Sequence, residues 1–205
     1  MQALVWSDYI CPWAYLGRDR TALLRSLGVE VTTQPYELHP ELPPEGRTAR
    51  PDGRLARVYE SIGEECADVG MPFRPPVLVP NSRRALETAE VVRAIAPEAF
   101  VALDAALFAA HFVEGRDIGD LDVLDALVSE AGAPAADVRA RVDKGEGHAA
   151  VAASVSRAHD HGIAATPAWL FGSDGDGFVL PGVQPRELFE RVVVRLSGRL
   201  RAQSE

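Results

Sequence analysis

The chain reads as an α/β protein in which two sheet-forming ends enclose a long helical stretch. Three observations predict this. An apolar run, Ala3, Leu4, Val5 and Trp6, leads within a few residues into a helical pattern that opens at Pro12. A second pair of compact apolar runs, AWLF at 168–171 and GFVL at 177–180, lies near the C-terminus with turn residues between them. From Leu55 to about His161 the sequence is nearly all helical in pattern and rich in good helix formers.

Taken in order, the first strand breaks at Ser7, Asp8 and Tyr9, which are turn residues. Pro12 suits a first helical turn, where its missing N–H would have no partner. Leu16, Leu23, Leu24 and Leu27 follow at helical spacing, so Cys11 stands at or just before a helix N-terminus. Gly28 stops that helix, and VEVTTQPYEL supplies a second strand with Val29, Val31 and Thr33 on one face. The proline- and glycine-rich PELPPEGRTARP, residues 40–51, reads as a loop. Breaks at 70–80, 95–97, 114–119, 132–134 and 144–147 divide the helical stretch into about five or six helices. Asn81 or Ser82 is placed to cap the second of them.

Gly162 ends this block, and GIAATPAWLFG enters a strand. SDGDG at 173–177 reads as a hairpin turn and GFVL as the returning strand. Pro185 then opens a last helix carrying Leu188, Val192, Arg195, Leu196 and Leu200 at helical spacing. The layout, β-α-β then β-β-α, is that of a thioredoxin fold with a large all-helical insertion. Residues 1–50 and 160–205 are expected to form the thioredoxin-fold domain and 51–159 the inserted helical subdomain.

A length of 205 residues suffices for such a core with its insertion. The net charge of -9 disfavours a nucleic-acid surface, which needs clustered Lys and Arg. No run approaches the ~18 apolar residues of a membrane span, and the start lacks a signal-peptide pattern, so a cytoplasmic protein without a membrane partner is expected. The two cysteines, Cys11 and Cys66, do not suggest a disulfide framework. His159 and His161 are two apart on a helix and share no face, while His39 and His111 are isolated, so no metal site is expected.

Cys11 carries the chemistry. The free N–H groups and positive dipole end of a helix favour a thiolate over a thiol, which makes Cys11 a candidate nucleophile. The plainer alternative is a small buried hydrophobe. Cys66, within VYESIGEECADVG on a helix, reads as structural.

DYICPWAYLG resembles the active-site segment of the DsbA-like thioredoxin proteins, especially their FrnE-like branch. It is also similar to that of the related 2-hydroxychromene-2-carboxylate isomerases and kappa-class glutathione transferases. LFAAHFVEGRDIGDLDVL, HGIAATPAWLF and LPGVQPRELF resemble later segments of the family in the same order. The resemblance implies an active-site motif of Cys11, Pro12, Trp13 and Ala14, with Cys11 catalytic. It departs at Ala14, where the oxidoreductases carry a second, resolving cysteine. Without that thiol, a mixed disulfide on Cys11 must be resolved by a second molecule of a small thiol. Glutathione or another small thiol is thus implied as a co-substrate, with no permanently bound cofactor.

The resemblance further implies a cis bond at Thr166–Pro167, although X-Pro bonds are cis in only about one case in twenty. Ala165, Thr166 and Pro167 would then offer backbone groups to an extended thiol substrate, as a short strand does. Val183 and Gln184 match the turn that receives the γ-glutamyl carboxylate in glutathione-using relatives, where Ser and Asp are usual. Asn81 matches an asparagine near the site and is either a ligand donor or a helix cap. Trp13 is either an aromatic wall or core, and Asp8 a turn residue rather than a proton carrier.

Three functions are compatible with these residues. The first is monothiol disulfide exchange with small thiols or thiolated proteins. The second is a thiol-dependent isomerase or transferase in which a bound thiol, or Cys11, adds to an electrophilic aromatic or unsaturated acid. The third is a domain that binds peptides or ligands without turnover. Relatives are often dimers, which makes a homodimer compatible with the resemblance.

Overall fold

The computed structural model describes residues 1–50, 52–172 and 177–202. β1 (Gln2–Ser7) lies inside a four-stranded sheet of order β2-β1-β5-β6, parallel to β2 (Glu30–Pro35) and antiparallel to β5 (Ala168–Phe171). β6 (Phe178–Pro181) pairs antiparallel with β5 at the edge. The parallel pairing follows from α1 (Pro12–Ser26), which carries the chain back over the sheet between β1 and β2.

Side chains of β1 alternate as a two-residue period requires. Ala3 and Val5 join Leu23, Leu24, Trp169 and Phe189 on the face covered by α1 and by α8 (Arg186–Ala202). Trp6 points the other way, into a core with Tyr36, Ala158, Ile163 and Leu170. There the Trp6 indole donates to the Ser154 carbonyl at 3.1 Å, and the Ser154 hydroxyl donates to the Pro35 carbonyl at 2.7 Å. These bonds fasten α7 (Glu146–Asp160) to the sheet.

Between β2 and β5 lie α2 (Gly53–Asp68), α3 (Arg83–Ile95), α4 (Pro97–Ala109), α5 (Leu121–Glu130), α6 (Ala135–Asp143) and α7. Their largest cluster, including Leu86, Leu103, Leu107, Phe108 and Phe112, is continuous with Cys11, Ala14 and Tyr15 of the first unit. At Gly147 α7 approaches α3 so closely that a Cβ would stand 2.5 Å from the Glu87 carbonyl oxygen. α4 runs on into a π-helical turn, Ala110–Glu114, that ends at Gly115 with φ 73°.

One feature differs from the sequence reading. The loop of residues 40–51 contains β3 (Arg47–Thr48), which pairs antiparallel with β4 (Leu78–Val79). Two-residue strands are too short to leave a periodic pattern. The hairpin turn expected at SDGDG lies outside the described residues, apart from Gly177. Among the described residues no helix is long and apolar enough to cross a membrane.

Candidate active site

Cys11 is the N-cap of α1 with an extended backbone (φ -85°, ψ 113°), and Pro12 opens the helix. Its N–H donates to the Asp8 carbonyl at 3.1 Å, and its carbonyl accepts from Tyr15 N–H at 3.0 Å, so the turn and the helix meet at this residue. The thiol donates to the Thr166 carbonyl at 3.2 Å. Thr166–Pro167 is a cis peptide bond. The Pro167 carbonyl accepts from Gly182 N–H at 2.9 Å, which ties this segment to the turn before α8.

Packing holds the two halves together across 155 residues of sequence. Gly17, in the second turn of α1, faces Pro167 and Trp169, and a Cβ there would stand 3.1 Å from each ring. A side chain at this position would press on both rings, so glycine lets the helix lie this close without displacing them.

The helix end eases ionisation of Cys11 as expected, but in the closed site burial outweighs it. Cys11 is 3% exposed. Burial pushes its thiol up to about 11, and the charge of Asp8 adds to the rise. Three groups pull the other way without prevailing: the Thr166 hydroxyl and the helix-end amides of Ala14 and Trp13. The Thr166 hydroxyl oxygen is itself buried and has no hydrogen-bond partner beside the neutral thiol.

Ala14 is buried and Trp13 packs, partly covered, against the helical core. The Tyr15 hydroxyl donates to the Pro72 carbonyl. Ala165 is exposed, one residue before the buried Thr166. The Gln184 carbonyl accepts from Arg20 Nε at 3.0 Å and its side-chain amide donates to the Pro181 carbonyl at 2.9 Å, while Val183 packs beside both cores. Asn81 donates to the Leu42 carbonyl at 2.6 Å and accepts from Arg83 N–H at 3.0 Å, so its amide holds a loop and the start of α3. Cys66 is fully buried in α2, and burial pushes its thiol up to about 11.

Two residues escaped the sequence reading. Asp8 is fully buried, and its carboxylate binds Ile10, Leu38 and Ser82. Tyr59 of α2 is buried, and burial raises its phenol. Asp8 was legible only as a turn residue; Tyr59 occupies an ordinary helical position and carried no signal at all. His111, on the π-helical turn, is buried with Nε2 unpartnered, and burial lowers its imidazole to about 4.

A cavity of about 160 Å³ opens beside the site between α1 and α4, lined by Ala14, Gly17, Arg18, Asp104, Phe108 and Pro167 among others. Cys11 does not line it. No group of His, Cys, Asp and Glu suited to a metal ion occurs among the described residues.

The fold is shared with solved structures. A probable DsbA oxidoreductase from Streptomyces coelicolor superposes with a TM-score of 0.85 at 23% identity, covering 97% of this chain and 90% of that one. The cytosolic disulfide reductase DsbM from Pseudomonas aeruginosa, also solved with GSH, gives 0.70 at 21% identity over 98% and 100% of the two chains. A 2-hydroxychromene-2-carboxylate isomerase gives 0.75 at 17% identity over 100% of both. At these identities the likeness is one of fold. The model of the DSBA-like thioredoxin domain matches residues 3–194, from the start of β1 into α8, and the chain therefore belongs to that family.

Proposed function

We propose that the chain is a thiol–disulfide exchange enzyme that works through one cysteine, Cys11, with a small thiol as co-substrate. One observation carries the reading: the Cys11 thiol stands at the N-cap of α1 facing the Thr166 carbonyl, with Ala14 where a dithiol enzyme has its second cysteine.

The chemistry takes two exchanges. The Cys11 thiolate attacks one sulfur of a substrate disulfide; that S–S bond breaks, a mixed disulfide forms on Cys11, and the other half leaves as a thiolate. A second small-thiol anion then attacks the non-protein sulfur of the mixed disulfide, forming a small-molecule disulfide and returning the Cys11 thiolate. The two electrons come from the small thiols.

With its thiol at about 11, Cys11 is ionised in only about one molecule in 10⁴ at pH 7. Substrate supplies the missing activation. An extended substrate that bonds to Thr166 takes the carbonyl that now accepts the Cys11 proton, so the neutral thiol loses its support. The thiolate keeps the Thr166 hydroxyl and the amides of Ala14 and Trp13.

The test is turnover of a mixed disulfide of glutathione and 2-mercaptoethanol in excess glutathione. Activity should vanish in Cys11→Ser and persist in Cys66→Ser, with the mixed disulfide on Cys11 visible by mass spectrometry. Activity surviving in Cys11→Ser would overturn the proposal. The cavity beside Ala14 and Pro167 favours a second reading, thiol-dependent isomerisation of an unsaturated acid, whose carboxylate would meet Arg18 and Arg25 at its wall. An absorbance change in such an acid, with no net thiol oxidation, would select it.

A further inference from the structure

Asp8 is 0% exposed, and among the described residues no Arg, Lys or His forms an ion pair with it. A buried carboxylate without a cation is costly unless donors surround it. Here three segments supply them. Ile10 N–H donates to Oδ1 at 3.3 Å, while Leu38 N–H and the Ser82 hydroxyl donate to Oδ2 at 2.7 Å and 3.0 Å. Ile10 belongs to the turn before Cys11, Leu38 to the stretch leaving β2, and Ser82 is the N-cap of α3 in the helical block. The Asp8 carbonyl, in addition, accepts the Cys11 N–H.

We infer that Asp8 is a positioning residue for Cys11: it fixes the turn that aims the thiol at Thr166, ties that aim to the seating of α3 through Ser82, and sets a negative charge against loss of the thiol proton. This rests on the reading of Cys11 as the nucleophile. One residue thus links the helical block to the reactivity of the thioredoxin-fold unit. The charge is conditional. Burial raises the Asp8 carboxyl to about 6, against the lowering by Leu38, Ser82 and Ile10, and Glu37 adds a further push upward. Glu37 is itself held by Arg83 at 2.9 Å, so among the described residues the titratable groups coupled to Asp8 are Glu37 in that ion pair and the neutral Cys11 thiol. Below this pH the opposing charge disappears.

The experiment follows the pH profile of iodoacetamide alkylation of Cys11 in the full chain carrying Cys66→Ser, with and without Asp8→Asn. Removing the charge should lower the alkylation midpoint by about half a unit to one unit, which raises the rate at pH 8 about 3–10-fold. A folded Asp8→Asn variant with an unchanged profile would make Asp8 merely structural and overturn the inference. Where Asp8→Asn fails to fold, Ser82→Ala decides. It removes one donor from a carboxylate that stays in place, so the inflection near pH 6 should move upward, and an unmoved inflection overturns the inference equally. Turnover is not read in either arm, so failure of the small-thiol assay and failure of this shift are separate results.

Discussion

Thr166→Val exchanges a hydroxyl for a methyl on the floor of the site and leaves the branching of the side chain and the backbone carbonyl in place. In the resting site Oγ1 is buried and unpartnered. A buried hydroxyl of that kind costs about 1–3 kcal/mol, so valine should stabilise the neutral-thiol form by about 1 kcal/mol at pH 7. Reactivity should move the other way. Once Cys11 ionises, the Thr166 hydroxyl favours the anion. A hydrogen bond to a charged group contributes about 1.5–3 kcal/mol, which corresponds to about 1–2 pKa units. The thiol, already at about 11, should rise by that amount in the valine variant, and alkylation at pH 8 to 9 should slow roughly 10–100-fold. Thr166→Ser should keep most of the reactivity. The assay is iodoacetamide alkylation of the Cys66→Ser chain from pH 7 to 10, paired with denaturant unfolding. A valine variant that reacts at the parent rate, or that loses stability along with reactivity, refutes the reasoning.

Three further predictions follow from other parts of the molecule. Ala14→Cys should convert a mixed disulfide on Cys11 into an internal disulfide between Cys11 and the introduced thiol; intact-mass measurement would then show a loss of two hydrogens in place of the small-thiol adduct, and a persisting adduct would count against the proposed exchange. Asp8, raised from 3.8 to about 6, contributes stability that is present below pH 3.8 and lost as pH rises through 6, about 3 kcal/mol in all. His111, lowered from 6.5 to about 4, contributes the reverse: stability present above pH 6.5 and lost as pH falls to 4, also about 3 kcal/mol. Denaturant midpoints should therefore fall more steeply with rising pH between pH 4 and 6 in His111→Phe than in the parent; a variant with the parent's slope would contradict this. Gly147→Ala should destabilise by about 1–3 kcal/mol despite alanine's better helix propensity, because its Cβ would stand 2.5 Å from the Glu87 carbonyl oxygen, and an unshifted melting temperature would disprove the contact.

Local patterns in the sequence carried much of the fold. The apolar run of β1, Pro12 at the first turn of α1, the glycines after the helices and Pro97 between α3 and α4 are signals that neighbouring residues impose on one another. β3 and β4 were invisible because each is two residues long and exists only through the other. The site divides in the same way. The position of Cys11 on its helix was legible in four consecutive residues, Cys11–Pro12–Trp13–Ala14. The partners it meets in the fold were not: Thr166 arrives from 155 residues away, and Ser82 reaches Asp8 from 74 residues away.

That division explains why the effect of the helix end on the thiol is outweighed. A helix end acts locally, through the amides of Trp13 and Ala14, whereas desolvation is a property of everything that packs over the sulfur. Here burial outweighs the amides, and the resting thiol is protonated and tied to a carbonyl. The same contacts make the balance easy to tip. Cys11 gives its proton to the very carbonyl that a strand-like substrate would occupy, and the hydroxyl on that residue has no partner until a thiolate forms. A site built in this way stays quiet when empty and becomes a nucleophile on binding. Alkylation in the presence of an extended peptide that lacks sulfur provides the decisive comparison: faster reaction of Cys11 at sub-saturating peptide indicates activation through Thr166, while simple protection indicates that burial alone governs the thiol.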